Sequence, residues 1–231
     1  MLNEFSRTEL LLGKESMKKL KNSHVAVFGI GGVGSYIAEA LARCGVGKLT
    51  LIDNDEVALT NLNRQIIALH STIGMKKTDA AKKRILDINP NAEVYALDCF
   101  YTGSEVLLTE FDYIADAIDT VSSKLALIEN ANRLGIPLIS SMGTGNKLDP
   151  LKLTVTDIYK TQVCPLARIM RYELKKRNIK KLKVVYSTEK PCAHKSESAE
   201  ITAKRKTIGS VSFVPSCAGL IIAGEIIKDL C

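Results

Sequence analysis

The fold is decided by one stretch of this chain, His24-Val25-Ala26-Val27-Phe28-Gly29-Ile30-Gly31-Gly32-Val33-Gly34. Its first five residues predict a short buried strand, and residues 34–44 predict an apolar-rich helix that begins at the last glycine. Glycines let the backbone turn tightly and approach a phosphate, and a helix N-terminus presents N–H donors to it. The stretch therefore predicts a strand-loop-helix unit that binds a nucleotide.

Strands and helices alternate beyond this unit. Apolar segments at 48–53, 91–97, 113–119 and 138–141 predict strands, and segments at 76–89 and 122–134 predict helices between them. After Asp149-Pro150 two further strand-like segments, 152–158 and 182–187, flank a basic helix. This order predicts an α/β protein with a Rossmann-like, doubly wound, mostly parallel sheet and an antiparallel C-terminal extension.

The pattern favours a single domain over residues 1–231. Within it we expect an N-terminal helical arm at 1–22, a nucleotide-binding part at 23–150 and a C-terminal extension at 151–231. Residues 189–206 are polar and charged, which is typical of a long crossover loop.

Composition excludes several classes of protein. With 46% hydrophobic and 25% charged residues, the 231-residue chain is neither disordered nor fibrous. The apolar run Ala218–Gly224 is far shorter than the ~20 residues of a bilayer span. Because no secretory signal pattern stands at the N-terminus, we expect a cytoplasmic protein with reduced thiols. The six cysteines form no Cys-x-x-Cys pair, so we expect no structural zinc.

Polar residues after the second strand narrow the choice of nucleotide. Asp53 stands 19 residues beyond Gly34, where a carboxylate accepts hydrogen bonds from ribose hydroxyls. To this point the pattern fits NAD, FAD or ATP. The amide of Asn61, the guanidinium of Arg64 and the ammonium of Lys77 suit a triphosphate. The sequence therefore favours ATP over a redox dinucleotide.

A further carboxylate, Asp119, ends the predicted strand at 113–119. An open α/β sheet binds its ligand beyond the carboxyl ends of the strands, so Asp119 should face the same crevice. Magnesium takes one or two carboxylates together with phosphate oxygens. Asp119 is thus the candidate ligand for a Mg²⁺ ion bound with ATP.

Five blocks of sequence carry a resemblance to a known family. They are Gly-x-Gly-Gly-x-Gly at 29–34, Asp-x-Asp at 53–55, Asn-x-Asn-Arg-Gln at 61–65, Gly-x-x-Lys at 74–77 and Ala-Ile-Asp-Thr at 117–120. Together they resemble the ThiF/MoeB/HesA-type adenylating superfamily, which is similar to ubiquitin-activating enzymes. Residues 5–13, 140–150 and 185–189 resemble one branch of it, the tRNA threonylcarbamoyladenosine dehydratases.

The resemblance implies an ATP-dependent cyclisation of N6-threonylcarbamoyladenosine in tRNA, through an acyl-adenylate and with release of AMP and pyrophosphate. Carried over by position, Gly29, Gly31 and Gly32 line the phosphate loop, Asp53 and Asp55 hold the ribose, Asn61, Arg64 and Lys77 contact the triphosphate, and Asp119 binds magnesium. Arg7 occupies the place of an arginine that reaches into the partner subunit's ATP site, which implies a homodimer. A cysteine desulfurase or sulfur-acceptor relay and a monovalent cation beside the nucleotide are left open.

Positive charge is concentrated in one segment. The formal charge of the chain is +7, and residues 168–183 alone hold eight basic residues and one acidic residue. Clustered cations indicate a polyanionic partner. With a tRNA substrate implied, the candidate phosphate contacts are Arg168, Arg171, Lys175, Lys176, Lys180 and Lys183.

Three other functions compete with this reading. The same chemistry could adenylate the C-terminus of a ubiquitin-like sulfur-carrier protein, although bacterial activators of that kind commonly carry two Cys-x-x-Cys pairs. An NAD-dependent redox enzyme would be stabilised by the dinucleotide and not by Mg-ATP. A nucleotide-sensing RNA-binding module would bind tRNA without releasing pyrophosphate. Whether Cys192 or Cys217 takes part in catalysis stays open, since lone cysteines are most often packed apolar groups.

Overall fold

The computed structural model describes residues 2–193 and 208–231. It confirms the predicted α/β fold: within these residues, seven strands form one sheet in the order β3-β2-β1-β4-β5-β7-β6. All neighbouring strands are parallel except β6 and β7, which are antiparallel. The strands are β1 His24–Phe28, β2 Lys48–Ile52, β3 Glu93–Leu97, β4 Tyr113–Asp116, β5 Leu138–Ser141, β6 Leu153–Asp157 and β7 Lys183–Ser187.

Six α-helices accompany the sheet in the described part of the chain. They are α1 Ser6–Asn22, α2 Gly34–Arg43, α3 Lys77–Ile88, α4 Val121–Leu134, α5 Pro165–Lys176 and α6 Phe213–Leu230. Helices α2, α3 and α6 pack on one face, where Val25 and Val27 of β1 point. Helices α4 and α5 cover the other face, which β1 lines with Ala26 and Phe28. Because both faces are buried, β1 carries apolar side chains on both of its faces from Val25 to Phe28.

The order of the strands reverses between β1 and β4. Strands β2 and β3 lie on one side of this pair, and β5, β7 and β6 lie on the other. Connections leave the two halves in opposite directions here, which opens a crevice at the carboxyl ends of β1 and β4. The glycine-rich loop follows β1 and enters this crevice.

The C-terminal third differs from the sequence-based expectation in two ways. Strand β7 continues the parallel sheet beside β5, so the antiparallel extension is β6 alone. Residues 213–230 form α6, which the sequence analysis did not predict. Helix α6 is apolar on most sides, so its sequence lacks the polar face that marks an amphipathic helix. In the two described ranges, no helix is long and apolar enough to cross a membrane.

Other parts of the prediction remain untested. The division into an arm, a nucleotide-binding part and an extension stays a prediction, although α1 occupies most of residues 1–22. Of the crossover loop expected at 189–206, residues 194–206 lie outside the described residues.

Helices α2 and α3 are joined by a buried carboxylate. The Arg84 Nε atom donates to Glu39 Oε2 at 2.6 Å, and the Arg43 Nε atom donates to Glu39 Oε1 at 2.8 Å. Burial by itself would raise the pKa of Glu39, but the hydrogen bonds from Arg84 and Arg43 outweigh it and hold the pKa below its ordinary value of 4.5. Glu39 therefore stabilises the fold in its ionised form.

We expect Glu39→Gln to lower the free energy of unfolding at pH 7 by about 2 kcal/mol, since it removes charge-assisted hydrogen bonds. A carboxyl whose pKa is lowered by folding contributes stability above its unfolded pKa and loses that contribution as the pH falls through the folded pKa. The difference in the free energy of unfolding between wild type and variant should thus disappear below pH 4.5. Urea unfolding between pH 3 and 7 measures it, and a gap that stays constant over this range would contradict the assignment.

Candidate nucleotide and substrate site

A cavity of about 760 Å³ lies at the carboxyl ends of β1 and β4. One wall is formed by the glycine-rich loop, residues 53–55 and the side chains of Asn61, Arg64, Gln65 and Lys77. The opposite wall is formed by residues 117–121 and 141–145, with Leu166 from α5. The glycine-rich loop, both aspartates after β2 and Asp119 therefore meet in one space, as the sequence predicts.

Glycine is required in the loop for steric reasons. Gly29 has a φ of +86°, and a Cβ added at Gly34 would lie 1.7 Å from the Gly29 carbonyl oxygen. Gly31 differs, because a Cβ there would face open space, with the Gln65 Nε2 atom 4.0 Å away as its nearest neighbour. Gly34 thus permits the turn, and Gly31 leaves room for a ligand.

This difference predicts opposite effects for two substitutions. Gly31→Val should leave the melting temperature of the nucleotide-free protein within about 3 °C of wild type, while the stabilisation by ATP disappears. Gly34→Ala should lower the melting temperature strongly, because the added carbon would lie 1.7 Å from the backbone carbonyl oxygen of Gly29 and 2.9 Å from its carbonyl carbon. Thermal unfolding with and without Mg-ATP measures both. Retained stabilisation by ATP in Gly31→Val would show that the nucleotide lies elsewhere.

Asp53 is held by the backbone of the loop that it faces. Its Oδ2 atom accepts from the Ile30 N–H at 2.6 Å, and its Oδ1 atom accepts from the Asp55 N–H at 2.8 Å. Burial raises the pKa of Asp53 above its ordinary value of 3.8, against the opposing effects of Lys77 and of these two N–H groups. The carboxylate is therefore fixed at the end of β2 with its orientation set.

Lys77 begins α3 and is buried beside two carboxylates. Its Nζ atom lies 2.6 Å from Asp55 Oδ2 and 3.8 Å from Asp53 Oδ1. The Asp55 side chain is 61% exposed, whereas that of Lys77 is 7% exposed. The exposed Asp55 carboxylate therefore has room to move off the ammonium and leave it to an anion in the cavity.

Arg64, Asn61 and Gln65 come from one short segment of the cavity wall. The Arg64 Nη1 atom donates to the Thr60 carbonyl oxygen at 2.8 Å, and Asn61 Oδ1 accepts from the Ala58 N–H at 3.1 Å. Gln65 is buried, and its Oε1 atom has no hydrogen-bond partner among the described residues. A buried polar atom without a partner is costly, so this wall is suited to a polar ligand.

Asp119 lies in the connection between β4 and α4, and not in β4 itself. The strand ends at Asp116, so the predicted strand at 113–119 is three residues too long. The Asp119 side chain is exposed to the cavity, and its Oδ1 atom lies 3.4 Å from the Thr120 hydroxyl. Residues 2–193 and 208–231 hold no cluster of three or more His, Cys, Asp or Glu side chains arranged as a metal site.

Arg7 does not reach the cavity of its own chain. It is exposed on the first turn of α1, outside the residues that line the cavity. Cys192 also lies outside the lining, with its Sγ atom 3.4 Å from Glu189 Oε1, and Cys217 lies on α6.

The predicted basic surface is smaller than the sequence indicates. Arg168, Lys175 and Lys176 are exposed on α5, while the Arg171 Nη1 atom donates to the Thr161 carbonyl oxygen at 2.9 Å. Lys180 lies after the end of α5 and is exposed. Lys183 was wrongly grouped with them: it points to the opposite face of the sheet, where its Nζ atom lies 2.8 Å from Glu225 and 2.9 Å from Asp229.

One buried ion pair escaped the sequence analysis. Lys124 of α4 and Asp116 at the end of β4 are both fully buried, with 2.7 Å between Nζ and Oδ2. A lysine four residues into a largely apolar helix is the signal that could have revealed it, since an unpaired lysine does not stay in a core.

Comparison with known proteins gives consistent results. A sequence profile of the ThiF family matches residues 5–231. The tRNA threonylcarbamoyladenosine dehydratase of Bacillus subtilis is 47% identical over 244 residues, covering 100% of this chain and 95% of that protein. The Escherichia coli enzyme of the same name is 44% identical over 174 residues, covering 74% of this chain and 65% of that protein. The crystal structure of the E. coli enzyme in complex with ATP superposes with a TM-score of 0.88, at 36% identity, over 98% of this chain and 93% of that one.

Proposed function

This chain belongs to the ThiF family, and from that premise we propose that it uses ATP to dehydrate and cyclise N6-threonylcarbamoyladenosine in tRNA. The observation that carries the proposal is the single cavity that joins a glycine phosphate loop, a ribose carboxylate, buried cationic and amide groups and Asp119. The named activity of relatives that match nearly the whole chain supports tRNA as the substrate. It does not favour a sulfur-carrier protein.

The reaction has two steps. The threonyl carboxylate is a poor electrophile, because oxide is a poor leaving group. One of its oxygens attacks the α-phosphorus of ATP, pyrophosphate leaves, and an acyl-adenylate forms. A carbamoyl heteroatom of the same nucleoside then attacks the acyl carbon, loses its proton and expels AMP. The nucleoside loses one water in total, and the second step is intramolecular, so orientation lowers much of its barrier.

The predicted site residues have separate roles in this scheme. Backbone N–H groups at Gly31 and Gly32 receive the phosphates at the start of α2, while Gly29 makes the turn and donates its own N–H to the Ile52 carbonyl oxygen. Asp53 and Asp55 hold the ribose. The Asn61, Arg64 and Lys77 side chains contact the triphosphate, with Lys77 exchanging Asp55 for phosphate oxygen. Asp119 would hold a magnesium ion, which would neutralise phosphate charge.

The complete enzyme is a homodimer in this proposal, because the family resemblance places Arg7 where an arginine reaches into the partner subunit's ATP site. The exposure of Arg7 and its position outside its own cavity are consistent with that role. It would complete the site of the partner subunit. We place the reaction in the cytoplasm with its tRNA substrate. Neither step transfers sulfur, so the scheme requires no cysteine desulfurase relay and no catalytic role for Cys192 or Cys217.

Transfer RNA reaches the cavity across α5. This helix begins beside Leu166, which lines the cavity, and exposes Arg168, Lys175 and Lys176 to solvent. The Lys176 Nζ atom lies 4.0 Å from the centre of the Tyr172 ring, which leaves a cation and an aromatic ring on the same surface. Phosphate contacts of this kind position a nucleic acid without reading its sequence.

Reversing one of these charges should weaken tRNA binding. Lys175→Glu is expected to raise the Kd for tRNA about tenfold and to reduce its dependence on salt, while leaving ATP binding unchanged. Lys83→Glu is the matched control, because Lys83 is exposed on α3, on the other face of the sheet. Filter binding at several salt concentrations measures both, and an equal loss in the two variants would exclude α5 as the specific surface.

Product analysis tests the proposed function itself. We expect AMP and pyrophosphate to form in equal amounts when the protein, Mg-ATP and tRNA bearing threonylcarbamoyladenosine are mixed. Transfer RNA without the modification should give no AMP. Formation of AMP with a ubiquitin-like sulfur carrier in place of tRNA would overturn the proposed substrate.

A further inference from the structure

Lys124 lies at the centre of a buried cluster with Asp116, Ser140 and Ser141. Its ammonium donates three hydrogen bonds, to Asp116 Oδ2 at 2.7 Å, to Ser140 Oγ at 3.0 Å and to the Ser141 carbonyl oxygen at 3.0 Å. The Ser140 hydroxyl in turn donates to Asp116 Oδ2 at 2.6 Å. Both charged side chains are 0% exposed. All three protons of the ammonium are thereby used.

The cluster joins the ends of two neighbouring strands. Asp116 is the last residue of β4, and its Oδ1 atom accepts from the Ile118 N–H at 3.2 Å, within the loop that carries Asp119. Ser140 and Ser141 end β5, and residues 141–145 form part of the cavity wall that faces the glycine-rich loop. Lys124 thus connects the loop that carries Asp119 to the cavity wall formed by residues 141–145.

Stability alone is a weak reason for such an arrangement. Removing two charges from water is costly, and well-packed apolar residues often stabilise a core as much or more. The alternative reason is that the cluster fixes one geometry among several that packing would allow. Ala117 and Ser141, the neighbours of Asp116 and Ser140 in the chain, line the cavity. Lys124 itself does not line the cavity, so it cannot touch the nucleotide.

We infer that Lys124 is a positioning residue, which fixes the loop of Asp119 relative to residues 141–145 so that Asp119 meets a magnesium ion on the phosphates. The inference rests on the proposed use of Mg-ATP. It assigns to Lys124, Asp116 and Ser140 a role in metal-dependent nucleotide binding that acts through Asp119. Partners behind a metal ligand typically change metal affinity about 10- to 100-fold when they are removed.

Three variants separate this role from a purely structural one. Lys124→Met removes the ammonium and leaves Asp116 unpaired. The double variant Asp116→Asn/Lys124→Met removes both charges, which should restore part of the lost stability. Leu127→Ala is the matched control, because Leu127 is fully buried on the same helix and packs away from the cavity.

Two measurements, on nucleotide-free and on ATP-bound protein, test whether Lys124 positions the loop of Asp119. The first is hydrogen exchange of the 117–120 and 141–145 amides without nucleotide. The second is the Kd of ATP by calorimetry, in magnesium and in EDTA. For Lys124→Met and for the double variant, we expect the amides of both loops to exchange faster than in the wild type. The Kd of ATP in magnesium should be at least about tenfold higher than that of the wild type. The Kd of ATP in EDTA should change little. Leu127→Ala should keep the wild-type ratio of the two Kd values.

Several results would overturn the inference. One such result is that the two loops of the double variant exchange at wild-type rates. Another is that the double variant regains both the stability of the wild type and its Kd for ATP in magnesium. Failure of the wild-type protein to bind Mg-ATP would instead refute the proposed function, and loop exchange without nucleotide would still test the role of Lys124.

Discussion

Asp119→Asn is expected to lower the rate of pyrophosphate release about a thousandfold, a loss comparable to the removal of one electrostatic group from a reaction centre. The substitution keeps the size of the side chain and removes the charge that a magnesium ion requires. Asp119 is exposed in the loop after β4, so the fold should be unaffected. The prediction therefore separates chemistry from stability.

The measurement is single-turnover release of pyrophosphate with tRNA bearing threonylcarbamoyladenosine. Asp87→Asn provides the matched control, since Asp87 is an exposed aspartate on α3 outside the cavity lining. Both variants should bind ATP as tightly as wild type in EDTA. A rate for Asp119→Asn within a factor of about ten of wild type would remove Asp119 from the reaction centre.

Mixing two inactive variants should restore activity. Arg7→Ala is expected to reduce turnover about a thousandfold, because an arginine supplied in trans stabilises charge in the transition state. A heterodimer of Arg7→Ala and Asp119→Asn holds one site with both groups intact, formed by Asp119 of the first chain and Arg7 of the second. Random exchange makes about half of the dimers mixed, so about a quarter of wild-type activity should return.

Steady-state AMP formation before and after subunit exchange measures this effect. The wild-type protein incubated under the same conditions controls for loss during exchange. Activity that stays at the sum of the two separate variants would mean that Arg7 does not act across a dimer interface.

The fold could be predicted because local patterns and global topology agree. The strand Leu138–Ser141 was placed at its observed bounds, and the βα unit at 24–44 was placed within one residue. Because parallel strands are joined by crossover helices, the alternation of strands and helices in the sequence indicates an α/β fold. A ligand crevice at the carboxyl ends of the strands follows from that fold. The glycine-rich loop and Asp53 were found for the same reason, since their roles depend on backbone position.

The sequence-based expectation failed at Lys183, at α6 and at the end of β4, where tertiary packing decides. Lys183 was assigned to the surface of α5, but alternation along β7 turns it to the opposite face, where Glu225 and Asp229 of α6 hold it. That contact cannot be foreseen unless α6 is known, and α6 gives no helical period because it is buried on most sides. The length of β4 was overestimated because apolar residues continue past Asp116 into the cavity wall.

The central claim is that this protein removes one water from N6-threonylcarbamoyladenosine in tRNA, and nucleoside mass spectrometry tests it most directly. Transfer RNA bearing the modification is incubated with the protein and Mg-ATP, with a control that lacks ATP. We predict a nucleoside lighter by the mass of one water, formed only with ATP. An unchanged nucleoside mass in a protein that binds ATP would contradict the account.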